Sequence, residues 1–194
     1  MAKTWKDSDI SIDPIKDQTI AIIGYGIQGD AQANNLKDSG LKVIIGLKEG
    51  GSSWGKAVSD GHEVMSVAEA CKMADIIHIL IPDMVQSQVY KNEIEPNLSE
   101  GNALAFSHAA AIYWGWIKAP DNVDIIMVAP KGPGSKVRET YLDGFGTPSI
   151  VAVEQDKTGT AWDRTLGIAK GIGSARAGLI KTTFKEEVET DWFG

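Results

Sequence analysis

An apolar run that feeds directly into three spaced glycines limits what this chain can fold into. Ile20-Ala21-Ile22-Ile23 leads into Gly24-Tyr25-Gly26-Ile27-Gln28-Gly29, and a helix-compatible run extends from Asp30 to Lys37. The pattern predicts a buried strand, a tight loop and the start of a helix. Each glycine has its own mechanical role. Gly24 makes the turn, Gly26 lets the backbone approach a pyrophosphate, and Gly29 lets helix and strand pack closely. The helix N-terminus then presents unpaired N–H groups and a positive dipole end to the phosphates. Glycine triplets also occur as plain tight turns. The strand before this one and the helix after it favour dinucleotide binding, with the loop residues Gly24, Tyr25, Gly26, Ile27, Gln28 and Gly29 as the contact set.

The next strand bears on which dinucleotide. Leu41-Lys42-Val43-Ile44-Ile45-Gly46-Leu47 reads as a buried parallel strand. A site for NAD places Asp or Glu at its end, where the carboxylate accepts from the ribose 2′-hydroxyl. Here the end reads Gly46-Leu47-Lys48-Glu49-Gly50-Gly51-Ser52-Ser53-Trp54. Lys48 supplies a cation, and Ser52 and Ser53 supply hydroxyls where the following helix begins. That set suits the 2′-phosphate of NADP(H). Glu49 opposes it, and helix capping is the competing role for the two serines.

Strand-like and helix-like runs then alternate. Strands are predicted over 19–23, 42–47, 62–65, 76–81, 103–107, 124–129, 149–153 and 178–181, and helices over 28–38, 53–59, 66–73, 84–94, 160–172 and 185–192. Alternation of this kind implies right-handed crossovers and an α/β fold with a doubly wound, mostly parallel sheet, the Rossmann arrangement. Ser66-x-x-Glu69 is a capping box. Pro82 and Asp83 close the fourth strand at the carboxyl edge, where ligands sit in such sheets. The net charge of −7 argues against nucleic acid and anionic membranes as partners. No apolar run is long enough to span a bilayer. The single Cys71 cannot form an internal disulfide and suits a packed position in a reducing, cytoplasmic setting.

The chain also resembles a known family. Gly24 to Gly40, Met127-Val128-Ala129-Pro130-Lys131-Gly132-Pro133-Gly134, Gly144-Phe145-Gly146-Thr147-Pro148 and Thr182-Thr183-Phe184-Lys185-Glu186-Glu187-Val188-Glu189-Thr190-Asp191 are similar to runs found in ketol-acid reductoisomerases. The resemblance implies branched-chain amino acid biosynthesis: a Mg²⁺-dependent alkyl migration in a 2-acetohydroxyacid, then reduction by NADPH. It implies a Rossmann domain over residues 1–184 and, over 185–194, a helix leading toward a knotted helical domain. It assigns His108 to the active site near the nicotinamide, Lys131 to an active-site cation, and Asp191 to the first Mg²⁺-binding acid. The acids expected after Asp191 lie beyond Gly194, so Mg²⁺ retention and isomerisation are not expected of this chain alone.

Two stretches depart from the family pattern. After Ser107-His108 the chain reads Ala109-Ala110-Ala111-Ile112-Tyr113-Trp114-Gly115-Trp116, and Trp192 stands where the family has Leu. So local a cluster reads as engineered, with Tyr113, Trp114, Trp116 and Trp192 forming an aromatic patch for a homodimer. The alternative is a designed catalyst or binder, with His108 in a pocket carved by Ala109 to Ala111 and lined by Trp114, Trp116 and Trp192. Among the other polar residues, His78 is expected to be packed and neutral, His62 solvent-facing, and Asp83 an organiser of its loop. Ser107 and His108, adjacent on a strand, point to opposite faces and do not form a dyad.

Overall fold

The computed structural model describes residues 2–193, with side chains through Thr190. Among the described residues, nine strands form one sheet. In chain order they are β1 (Thr4–Trp5), β2 (Thr19–Ile23), β3 (Lys42–Gly46), β4 (Glu63–Met65), β5 (Ile76–Ile79), β6 (Ala103–Phe106), β7 (Asp124–Pro130), β8 (Ser149–Gln155) and β9 (Leu179–Lys181). The helices are α1 (Ile27–Asp38), α2 (Trp54–Ser59), α3 (Val67–Met73), α4 (Asp83–Val89), α5 (Ala110–Tyr113), α6 (Gly134–Leu142), α7 (Ala161–Gly171), α8 (Ser174–Ala177) and α9 (Phe184–Phe193).

The spatial order is β1-β9-β8-β7-β6-β5-β2-β3-β4. From β4 through β7 all neighbours are parallel. After β2 the chain winds outward to β3 and β4, then returns across the sheet to β5 on the other side of β2. Strand order therefore reverses between β2 and β5, which opens a crevice at their carboxyl ends. β8 runs antiparallel to β7, and β1 antiparallel to β9. The short β1 has no counterpart among the strands expected from the sequence.

Side-chain alternation divides the core in two. Ile20 and Ile22 join Leu36, Ile45, Ile126 and Ile168 on one face of the sheet. Ala21 and Ile23 join Ile44, Ile77, Ile79 and Phe106 on the other. β2 is buried at all five positions, which is why it reads as a continuous apolar run. The N-terminal segment packs on the domain. Trp5 stacks on Trp162 at 5.4 Å, and Lys170 Nζ donates to the carbonyls of Asp7 and Ile10.

Several elements differ from the sequence reading. α6 falls in a stretch that reads as loop, because it opens with Gly132-Pro133-Gly134. Pro133 in fact occupies the N-cap, and Gly134 has no Cβ to collide with the Ile27 carbonyl of α1. Buried Asn35 of α1 completes that contact, donating to Val137 O and Ile172 O and accepting from Arg138. The helix predicted over 84–94 is α-helical only to Val89 and continues as a π turn that buries Tyr90 and Ile94. The capping box is present, with Glu69 N donating to Ser66 Oγ. Cys71 is buried, and burial pushes its thiol up to about 12.

His62 is a correction. It is buried rather than solvent-facing, because Tyr25 covers its ring edge-on at 5.5 Å and Asn34 Oδ1 lies 3.2 Å from its Nε2.

Candidate functional site

The crevice begins where β2 stops. Gly24 takes φ +99°, a conformation that L side chains rarely adopt. A Cβ there would also lie 2.7 Å from Ile81 Cγ2. At Gly29 a Cβ would run into the Gly24 carbonyl oxygen, whereas at Gly26 it would meet nothing within 4 Å. So two glycines are required by packing, and the third faces open space in the cleft. The first intrahelical bond of α1 is Asp30 N to Gly26 O at 2.9 Å. The N–H groups before it are those a helix start offers to an anion.

β3 delivers the next loop to the same place. Turns with Gly51 N on Lys48 O (3.0 Å) and Trp54 N on Gly51 O (3.1 Å) bring Lys48, Ser52 and Ser53 round to the glycine loop. Ser53 holds the N-cap position of α2, yet its side chain makes no capping bond. A cleft of about 330 Å³ is lined by Gly24, Tyr25, Gly26, Lys48, Ser52 and Ser53, with Trp54 and Pro82 at its edges. An adjoining, mainly apolar cleft of about 510 Å³ extends past Ile23, Val67 and Val85. Tyr25 contributes backbone to the loop, while its hydroxyl turns inward, donating to Asp60 Oδ2 at 2.8 Å.

On the other side of Gly26 a third cleft, about 380 Å³, is lined by Ile27, Gln28, Pro82, Asp83, Gln86, Ser107, His108 and Pro130. Pro82 caps α4 and Asp83 opens it. Gln86 Nε2 donates to Asp83 Oδ1 and to Ile81 O, both at 2.9 Å. Gln86 Oε1 is buried and has no partner among the described residues.

His108 lies between two acids, its Nδ1 3.0 Å from Glu187 Oε1 and its Nε2 3.8 Å from Asp83 Oδ2. Glu187 is only 1% exposed. Its second oxygen accepts from Ala109 N at 2.9 Å, and Lys131 Nζ stands 3.7 Å from the first. α9 thus brings a buried carboxylate under His108 and Lys131. A carboxylate only accepts, so with Glu187 ionised the His108 proton sits on Nδ1 and the Nε2 side faces Asp83.

Glu187 and Gln86 are not among the site residues that the sequence suggests. For Glu187 a signal exists: it precedes Asp191 by four residues, which is one face of a helix. The side chains of Asp191 and Trp192 lie outside the described residues.

Ser107 is a strut rather than a partner of His108. Its hydroxyl donates to Val128 O at 2.8 Å, and His78 Nε2 (3.2 Å) and Gln32 Nε2 (3.1 Å) both approach it. Its one proton is spent on Val128, so His78 donates through Nε2–H. His78 is fully buried, and burial pushes it down to about 3, which keeps it neutral as expected. The chain of hydrogen bonds continues from Gln32 to Gln28 and on to the Gly132 carbonyl, joining α1 to the Lys131 loop.

Among the described residues, Trp114 and Trp116 do not line the cleft of His108. Ala109, Ala110 and Ala111 are buried in the core facing Phe184 and Val188, because the helical turn of α5 directs them inward. Trp114 and Trp116 are about half exposed. Trp116 lines a separate groove with Tyr90, Lys91, Glu95 and Lys118, and Trp114 packs edge-on against Tyr113 at 4.8 Å.

A family model described as "Acetohydroxy acid isomeroreductase, NADPH-binding domain" matches residues 14–178. Over all 194 residues the sequence is 84% identical to the ketol-acid reductoisomerase (NADP(+)) of Nitrosopumilus maritimus and 79% identical to that of Cenarchaeum symbiosum. It covers 58% of each of these proteins. A solved structure of an NADH-preferring ketol-acid reductoisomerase from an uncultured archean superposes with a TM-score of 0.96 at 46% identity, over 99% of this chain and 60% of that one.

Proposed function

The chain belongs to the acetohydroxy acid isomeroreductase (ketol-acid reductoisomerase) family, and on that premise we propose that its crevice holds NADP(H) lengthwise, with the adenosine 2′-phosphate at one end and the nicotinamide at the other. The chain is an NADP(H)-binding domain. The finer reading puts the 2′-phosphate on Lys48, Ser52 and Ser53, the pyrophosphate over Gly26 at the start of α1, and the nicotinamide in the cleft of Gln86, Ser107 and His108. The observation that carries it is the continuity of the three clefts, which all share Ile81, with Gly24 joining the first two and Gly26 joining the 330 Å³ cleft to the His108 cleft.

Bound there, the cofactor supplies a hydride to a substrate carbonyl. The chain's own residues orient and balance that chemistry. Glu187 fixes the ring of His108 beside the cleft, and Asp83 faces the other ring nitrogen. Lys131 brings positive charge to the same end, where it favours an oxyanion that develops on the substrate.

The side chain of Asp191, the acid that the resemblance assigns to Mg²⁺, lies outside the described residues. No group of three His, Cys, Asp or Glu among them could hold a metal, and the Glu187 oxygens are engaged by His108 and Ala109. Because the chain spans 58% of the relatives it matches, we read acetohydroxyacid isomerisation as the work of a longer assembly to which it brings the cofactor half. Alone, with 2-acetolactate, Mg²⁺ and NADPH, it gives no turnover in this reading.

The test is a fluorescence titration that monitors Trp54 beside the loop. NADPH binds more tightly than NADH, and equal affinities would contradict the reading. The exposed Trp114 and Trp116 support a further element, self-association of isolated copies through Tyr113 to Trp116. Sedimentation across concentrations checks it: a monomer throughout, unchanged by Trp116→Ala, removes it.

A further inference from the structure

How the Lys48–Ser53 loop is held in place bears directly on cofactor choice, and the inference rests on the cofactor reading above. The loop carries Gly50, at φ +68°, and Gly51. A segment this permissive takes its shape from the element it leads into. That element is α2, which buries only Ala57. Besides Ala57, the partly buried Trp54 is the one apolar side chain of this short helix packed against the core, so packing alone fixes it weakly.

Polar contacts hold α2 alongside that packing. Asp30, Asn34 and Lys37 of α1 fall at i, i+4 and i+7 and so share one face. Lys56 Nζ of α2 lies 2.8 Å from Asp30 Oδ2 and 2.8 Å from Asp60 Oδ2. Lys37 Nζ donates to the carbonyls of Asp60 (3.0 Å) and Gly61 (2.8 Å). Tyr25 reaches out of the glycine loop into this seam. Its hydroxyl donates to Asp60 Oδ2 at 2.8 Å and accepts from Asn34 Nδ2 at 3.0 Å, while Lys56 Nζ sits 5.2 Å over its ring.

Donor counting fixes the direction of the chain of bonds. Carboxylate and amide oxygens only accept, so His62 Nε2–H donates to Asn34, Asn34 donates to Tyr25, and Tyr25 donates to Asp60. Tyr25 is 4% exposed, so the hydroxyl is committed to the seam and does not face a ligand. Burial, and the bond to Asp60, push the phenol up and keep it a donor. The hydrogen bonds to Asp30 and then Asp60 push Lys56 up as well, so it stays charged.

We propose that Tyr25 and Asn34 are positioning residues for cofactor selection, tying the pyrophosphate loop to α2 and thereby setting where Ser52 and Ser53 stand to receive a 2′-phosphate. The tie joins the two loops that grip the adenosine end. NADH lacks the 2′-phosphate, so a loosened tie acts on NADPH selectively. A residue that only stabilised the fold would weaken both cofactors alike.

The experiment titrates the chain with NADPH and NADH, unmodified and as Tyr25→Phe and Asn34→Leu. Neither change alters net charge, so neither acts on the phosphate by charge alone. The NADPH-to-NADH affinity ratio falls about tenfold in each folded variant, equivalent to about 1.4 kcal/mol of selectivity. Circular dichroism confirms folding, and Asn34→Leu decides the matter if Tyr25→Phe does not fold. An equal loss for both cofactors, or an unchanged ratio in a folded variant, overturns the proposal. An unmodified chain with no preference for NADPH removes the cofactor reading, and the proposal falls with it. That arm tells the two failures apart.

Discussion

The two ends of the crevice are built in different ways. The proposed adenosine end is local: β2, the glycine loop, α1 and the Lys48–Ser53 loop come from one stretch of chain, and backbone geometry does most of the shaping. The proposed reacting end is assembled from Asp83, His108, Lys131 and Glu187, four residues on four segments that meet through their side chains. Backbone shape tolerates almost no added atoms. A side-chain cluster depends on each partner being present. Substitutions at the two ends should therefore fail in different ways.

The largest effect is expected at Gly29. A Cβ there meets the Gly24 carbonyl, backbone against backbone, so neither side yields without moving β2 or α1. Gly29→Ala is expected to cost about 3 kcal/mol of stability in a denaturant titration and to abolish NADPH binding. Native stability in that variant would show that α1 is not packed on the loop as described.

Glu187→Ala comes next and acts at the other end. It leaves the buried Ala109 N–H without an acceptor and His108 without its anchor. The expected cost is about 2 kcal/mol, measured the same way. Binding of 2′,5′-ADP, which reaches only the adenosine end, should be unchanged, and a parallel loss there would mean the two ends are not separable. Lys48→Asp inverts the pattern, weakening NADPH by about 1.5 kcal/mol with little change in stability. NADPH affinity untouched by that change would take the 2′-phosphate away from this loop.

The same contrast explains what the sequence could disclose. That Gly24, Gly26, Lys48, Ser52 and Ser53 come together at one cleft is legible, because a strand–loop–helix motif fixes its geometry within a few residues. The central strands β2, β5 and β6 are legible as well, since burial on both faces writes them as apolar runs, whereas the two-residue β1 is not. α6 is not, because the residues that start it, Pro133 and Gly134, are also the commonest loop residues. Gln86 and Glu187 are hidden for another reason: their importance comes from neighbours 22 and 79 positions away, His108 in the first case by shared cleft and in the second by hydrogen bond. His62 misleads because nothing local announces that Tyr25 covers it.

The smallest effect at neutral pH is expected from the buried histidines, and it grows with acid. Burial lowers both His78, to about 3, and His62. Below the usual histidine value the unfolded chain binds protons that the folded chain refuses, so stability is complete above about pH 6.5. It is then lost as pH falls, by up to about 1.4 kcal/mol per pH unit for each histidine. His78→Gln keeps a donor for Ser107 and removes one titrating group. Denaturant midpoints at two pH values should show a shallower slope in that variant, and an identical slope would mean that His78 is protonated in the fold.

The most direct test of a cofactor lying along the whole crevice is a pair of amide chemical-shift titrations on the isotope-labelled chain. With 2′,5′-ADP, shifts are expected at Gly26, Lys48, Ser52 and Ser53 and not at Ser107 or His108. With NADPH, the same set is expected to shift together with Gln86, Ser107 and His108. Identical maps for the two ligands, with Gln86, Ser107 and His108 silent in both, would contradict the account.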